Sequence, residues 1–344
     1  MASSSKKLDF PKMDQATAQQ LFEHGAFLIF LDFPEGAEFG IDYNSWNVGP
    51  NFKGVKMIPP GIHFIFFSCY GKRGGQSPRI GFFHCFKSKE IVAKRWKAET
   101  EDIVDVSGGG EQFRPSLRQL DSCLGPYPYQ CYRTWFSLTN HLSARLLAAL
   151  LPLSGRISAQ SELISLEAET LGAGASRVDR AHPHRLRFSD AMGLPIMREA
   201  PGTEIRFHTI PPPRSGMDGS ERLSLFLETA EYASDSEILG EVQFAFVCFL
   251  MGQVYESFEQ WKRLVHLLSS CAQALATRES LYLDFMMTLH FQLKECPRDF
   301  FLDIVTKNNF LTVTLANFFA AVEAENGASQ KLKEKARKFK GAGA

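Results

Sequence analysis

The chain lacks any surplus of charge: its 38 Lys and Arg are matched by 38 Asp and Glu. A protein that binds DNA or RNA replaces condensed counterions with its own cations, so nucleic acid is not expected as a direct partner. No apolar run approaches the roughly 20 residues that span a bilayer, and no membrane association is expected. Met-Ala-Ser-Ser-Ser-Lys-Lys at the start has no hydrophobic segment behind it, so no secretory leader is expected. The seven cysteines form no close-spaced pair. That usage fits reduced thiols of the cytoplasm or nucleus rather than a disulfide scaffold.

Motifs that carry chemistry are also scarce. Gly71 to Gly75 lacks the following helix and the Lys-Ser/Thr pair of a phosphate loop. His63, Cys69, His84 and Cys85 lie on two neighbouring predicted strands, but His63 and Cys69 stand roughly 20 Å apart along theirs. His84 and Cys85 point to opposite faces, and zinc ligands must reach within about 2 Å of one ion. His182-Pro183-His184 sits in a loop without a further ligand at useful spacing. Cys248 and Cys271 fall among apolar helical residues, where a buried thiol is the default. Asp42 beside Tyr43 and Asn44 is a single carboxylate, and one carboxylate is not an acid–base pair. No catalytic residue, metal ligand or cofactor is expected.

What is present is an aromatic-rich chain of 344 residues, 44% hydrophobic, with 30 phenylalanines. Its N-terminal part reads as short strands after a helix over 14–24. Ala26–Leu31, Ile62–Tyr70, Arg79–Phe86, Ile91–Trp96 and Ile103–Val106 are predicted strands, mainly antiparallel and either sandwich-like or barrel-like. Between the first two lies Glu38–Phe64, whose Gly and Pro residues recur too often for a helix. Tyr43, Trp46 and Phe52 in this stretch either cover the core or offer a rigid contact surface.

Phe113, Leu117, Leu120 and Leu124 form one helical stripe, and a second helix is predicted over Thr139–Leu151. The predicted division is a β-rich domain over 13–152, a flexible linker over 153–200, a helical domain over 201–325 and a basic helical tail over 326–344. A lone strand over 203–208 opens the helical part, and Arg177 to Arg187 read as a flexible loop. Ser234 to Glu237 has capping-box spacing before a stripe of Leu239, Val242, Phe246 and Phe249. Phe258, Trp261, Leu264, Val265 and Leu268 continue on the next helix. The polar face of that helix (Glu256, Glu259, Lys262, Arg263) could form a partner-contacting rim. The Lys-rich tail reads as a solvated last helix, with an import signal or RNA-binding helix as alternatives.

The stretch Glu38–Phe64 resembles the fingerprint of the Aar-two family of splicing factors. Leu124-Gly125-Pro126-Tyr127-Pro128-Tyr129, Trp135 to Asn140, Gly202 to Phe207 and Leu239 to Leu268 agree with it. The resemblance implies an α+β protein, an antiparallel β-rich N-terminal domain followed by an all-helical, VHS-like C-terminal domain. It also implies a non-enzymatic, monomeric assembly factor of the U-five small nuclear ribonucleoprotein, in cytoplasm and nucleus. Its partner would be the RNase-H-like and MPN-type regions of the scaffold Prp-eight, alongside other U-five proteins, with docking of the helicase Brr-two delayed. The contact candidates are Tyr43, Asn44, Trp46, Phe52, Glu256, Glu259, Lys262 and Arg263. An extended tail would follow the last helix in the family. Here Gly341-Ala342-Gly343-Ala344 stands in that place, which leaves bridging by a tail strand an open question. An RNA-binding module using sheet aromatics and an unrecognised hydrolase are the rival readings.

Overall fold

The computed structural model describes residues 15–70, 75–160, 163–165, 197–296 and 310–342. Helix α1 (Gln15–His24) precedes strands β1 (Ala26–Leu31), β2 (Glu38–Ile41), β3 (Asn44–Asn47) and β4 (Gly54–Ile58). Then come β5 (Gly61–Ser68), β6 (Ile80–Phe86), β7 (Ile91–Lys97) and β8 (Asp102–Asp105). A short helix α2 (Leu117–Leu120) leads to β9 (Gly125–Pro126), α3 (Tyr132–Thr139), α4 (Ala144–Leu150) and β10 (Ile157–Ser158). Strands β11 (Leu163–Ser165) and β12 (Met197–Glu199) pair with each other. The helices that follow are α5 (Gly219–Thr229), α6 (Glu237–Leu250), α7 (Tyr255–Ser269) and α8 (Ala274–Thr277). Helices α9 (Glu279–Glu295), α10 (Phe310–Ala324) and α11 (Gln330–Ala342) complete the chain. The protein is therefore an α+β chain, β-rich first and helical afterwards.

Two five-stranded sheets, ordered β8-β7-β1-β4-β9 and β10-β6-β5-β2-β3, face one another as a sandwich. The pairings are antiparallel apart from the parallel β1–β7 and β4–β9. Alternation along each strand assigns the layers. Leu28 and Phe30 of β1 meet Ile65 and Phe67 of β5 inside the sandwich. Phe27 and Ile29 face outward, where Leu117, Leu124 and Phe22 cover them. Phe64 and Phe66 of β5 point away from the sandwich into the helical core with Phe83. Both sheets are thus covered on both faces, which is why β1 and β5 read as unbroken apolar runs. At Gly54 (φ +127°) a Cβ would lie 1.9 Å from the Leu28 carbonyl oxygen, so only glycine lets β4 meet β1 there.

The helical core centres on α6, in which residues 237–248 are all buried. The predicted one-sided stripe is corrected by this: sheet two, α3, α4, α7 and α9 surround the helix, so no face remains for solvent. Gly240 permits the close approach of the α3–α4 connection, since a Cβ there would sit 2.5 Å from the His141 carbonyl oxygen.

Other sequence expectations change for local reasons. The stripe Phe113–Leu124 faces sheet one but is no single helix; 3-10 turns flank α2, with Pro115 inside the first. The helix predicted over 139–151 starts earlier, takes in Trp135, and breaks before Ser143, whose Oγ caps α4 at the Leu146 N–H, 3.1 Å away. Residues 203–208 form no strand. Arg206 instead caps the end of α4, its N–H on Leu150 O (2.9 Å) and its guanidinium on Ala148 O and Leu151 O (2.6 Å each). Ser236 makes no side-chain cap; the capping box is Asp218 with Glu221, at the start of α5. The tail helix α11 is not merely solvated, for Leu332 and Ala336 are buried against α9 and α10. Arg177 to Arg187 and the His182–His184 pair lie outside the described residues.

Candidate partner-contact surface

The fingerprint opens with the β2–β3 hairpin, with Asp42 at its turn in the left-handed region (φ 55°). Asp tolerates that conformation because its short side chain bonds locally. Here the carboxylate turns inward and collects three donors. Phe64 N–H reaches Oδ1 (3.0 Å), while His63 Nδ1 (2.7 Å) and the Tyr127 hydroxyl (2.5 Å) reach Oδ2. His63 Nε2 donates to Pro59 O at 2.8 Å, and the imidazole stacks on Trp135, whose Nε1 donates to Ile62 O (2.8 Å). Burial and the adjacent Asp42 charge drive the Tyr127 phenol pKa far up, so it remains a donor. Asp42 is therefore not the solitary carboxylate that its sequence position suggests. The signal was a single His in the apolar strand run opposite the turn.

This core fixes what the turn presents. The Tyr43 hydroxyl bonds Glu295 at the end of α9, and burial together with Glu295 raises its pKa. Asn44 Nδ2 donates to Cys131 Sγ at 3.3 Å. Trp46 and Phe52 are half-buried on Phe39, with ring centroids 5.5 and 5.0 Å from it. The four hairpin candidates are thus anchored rather than freely exposed. Beside them, Tyr132 lies half-buried and Phe136 stands 57% exposed, its ring 6.4 Å from that of Tyr132. Phe136 precedes the helix predicted over 139–151; it lies instead on the exposed side of α3.

The second group of candidates lies on α7. Glu256 and Arg263 are exposed, and Glu259 pairs with Lys262 at 2.7 Å. That hydrogen bond holds the Glu259 carboxyl below its ordinary range. Lys262 also sits 4.9 Å above the Phe258 ring, and Tyr255 is 69% exposed at the start of the helix. Surface of this kind recognises a partner through an aromatic anchor and a charged rim.

The chemistry available elsewhere is limited. Among the described residues no group of three His, Cys, Asp or Glu side chains could hold a metal ion. His63 is engaged with Asp42 and Pro59, and His84 with Glu90 at 3.0 Å. Burial pushes the thiols of Cys69 and Cys131 up to about 11 and that of Cys271 up to about 12. Such thiols are protonated near neutrality and are poor nucleophiles. Among the described residues no helix is long and apolar enough to cross a membrane.

The AAR2 N-terminal domain matches residues 24–152, and the AAR2 C-terminal repeat region matches 213–342. The chain belongs to the AAR2 family. The Protein AAR2 homolog of Caenorhabditis elegans is 46% identical over 337 residues, covering 93% of each chain. The mouse homolog is 41% identical over 354 residues, and the human one 39% over 349. Both cover 95% of this chain and 90% of their own. The AAR2 N-terminal domain supplies the Asp42 cluster and Phe136, while the AAR2 C-terminal region supplies Glu295 and α7. The Tyr43–Glu295 contact therefore ties the two matched regions together. Arg79 adds another tie, its Nη1 on Met251 O (2.9 Å) and its other nitrogens on Glu38.

Proposed function

We propose that this chain is a non-enzymatic assembly factor of the U-five small nuclear ribonucleoprotein. It binds the C-terminal region of a Prp-eight-type scaffold, through that protein's RNase-H-like and MPN-type regions, and delays docking of the Brr-two helicase. The observation that supports this reading is AAR2 membership over nearly the whole chain, joined to exposed aromatics on a rigid two-part frame. Occupancy of the scaffold would act sterically, phosphorylation would release it, and the factor would move between cytoplasm and nucleus. A specific contact usually buries about 800 Å² per partner. The hairpin and α3 region around Phe136 and the α7 face around Tyr255 are the surfaces offered for that. The sheet aromatics Phe64, Phe66 and Phe67 are at most 2% exposed, so they offer RNA no stacking platform.

The test is a pull-down of the full chain with purified Prp-eight-type fragments carrying both regions, followed by titration. Tight, saturable capture is expected, with Phe136→Ala and Tyr255→Ala each weakening it about tenfold or more, as anchor residues do. Failure to capture either fragment would sink the proposal. Capture untouched by both substitutions would move the interface elsewhere.

A further inference from the structure

A groove between α9 and α11 answers to neither matched family role nor the surfaces above. Its cavity measures about 430 Å³. The floor is apolar: Met287 is 36% exposed, and Phe339 packs edge-on against His290 with centroids 4.9 Å apart. The rim is cationic. Lys331, Lys335 and Lys338 recur at i, i+4 and i+7 along α11, which puts them on one face. Lys294 follows His290 by one turn on α9. Among the described residues Lys294, Lys331 and Lys338 form no ion pair, and Lys335 Nζ donates to Leu283 O at 3.0 Å. Glu334, which accepts from Gln330 Nε2 at 3.3 Å, is the single acid in the lining.

The basic helix is part of the fold rather than a loose arm. Leu332 and Ala336 are at most 1% exposed, and Ser329 Oγ caps the Leu332 N–H (3.1 Å) while donating to Glu279 (2.6 Å). Reading the lysines as an extended import peptide would need α11 to leave the core. A nucleic-acid backbone would use the rim but has no use for an exposed methionine floor. A cavity of this volume holds one or two side chains, and unpaired cations around it complement carboxylates. We propose that the α9–α11 groove docks an acidic protein segment carrying a large apolar residue, which fills the space over Met287 while its carboxylates meet Lys331, Lys335 and Lys338. This surface does not depend on the identity of the partner proposed above.

The experiment uses the full chain with ¹³C-methyl methionine and follows the Met287 signal, assigned through Met287→Ala. The probes are a ten-residue Asp/Glu peptide with a central Leu-Phe, the same peptide with Ala-Ala, and a twelve-nucleotide oligouridine. The Leu-Phe peptide should shift the Met287 signal saturably, and the Ala-Ala peptide should bind at least about tenfold more weakly. The exposed double variant Lys331→Glu/Lys338→Glu, with Lys331→Gln/Lys338→Gln as the milder form, should weaken the Leu-Phe peptide about tenfold at an unchanged melting temperature. An unmoved Met287 signal at millimolar peptide overturns the proposal, as does equal binding of the Ala-Ala peptide. Tighter binding of oligouridine at the same signal would make the groove a polyanion site and overturn it too.

Discussion

Each half of the molecule buries a carboxylate that binds a histidine and a tyrosine, and the two clusters differ in one respect. In the sandwich, Asp42 accepts from His63, Tyr127 and the Phe64 N–H, and Asp42 and His63 are at most 1% exposed. In the helical half, Glu241 of α6 accepts from His208 Nδ1 and Tyr232, both at 2.6 Å. The His208 N–H (3.2 Å) and Gln260 (3.3 Å) complete that set. There the histidine side chain is 25% exposed. Both clusters do the same work: they fasten an irregular segment, a hairpin turn in one case and residues around 208 in the other, to a regular element. His63, however, places its two ring nitrogens on the Asp42 carboxyl group and the Pro59 carbonyl. That pair is sealed from water, whereas His208 keeps an edge near solvent. A sealed pair is costly to break and not in itself a source of great stability.

Asp42→Ala is the harshest test of that difference. It strands a buried imidazole, a phenol and an N–H, and should cost about 3–5 kcal/mol in denaturant unfolding. Glu241→Ala removes four hydrogen bonds where Asp42→Ala removes three, yet water can reach His208, so a smaller loss of about 1–3 kcal/mol is expected. Equal losses would show that exposure of the histidine is not what separates the clusters. Tyr43→Phe is smaller still. It deletes the hydroxyl that bonds Glu295, a half-buried contact worth about 0.5–1.5 kcal/mol. If that variant melts as the parent does, Arg79 and the shared Phe64–Phe66–Phe83 core hold the halves without it.

The comparison also explains what could be read from the sequence. Strands β1 and β5–β8 announce themselves through apolar runs, and Gly and Pro mark the hairpin region, so the architecture was legible. Asp42 was visible but its role was not. Tyr127 comes from a loop 85 residues later in the chain, and nothing local specifies that meeting. Residues 203–208 misled for the opposite reason. Their alternating Ile205 and Phe207 suit a strand, but Arg206 bonds the end of α4 instead. Phe136 was hidden by placing the start of α3 too late, which left its outward direction undefined. Among the contact candidates, type and position could be read, but anchorage could not, because it rests on Glu295 and Cys131 from distant segments.

A third histidine gives the mildest test, because among the described residues it has no carboxylate in hydrogen-bond contact. His141 lies in the α3–α4 connection, half-buried against α6, where its N–H donates to Gln243 Oε1 at 2.8 Å. Burial lowers its pKa from 6.5, with the Asp284 charge opposing. A depressed histidine leaves the unfolded chain holding more protons, so its contribution is complete above pH 6.5 and is lost as pH falls through that value toward the folded pKa. Glu237 adds a later step of the same sign. Burial raises its pKa, but the Ala233 N–H and the Arg145 and Ser143 bonds outweigh that and hold it below 4.5, so its share fades as pH falls beneath that value. Unfolding free energy should therefore decline as pH falls below 6.5 and again as it falls below 4.5. His141→Gln should flatten the first decline and leave the second in place. A first decline of unchanged size in that variant would show that His141 is not its source.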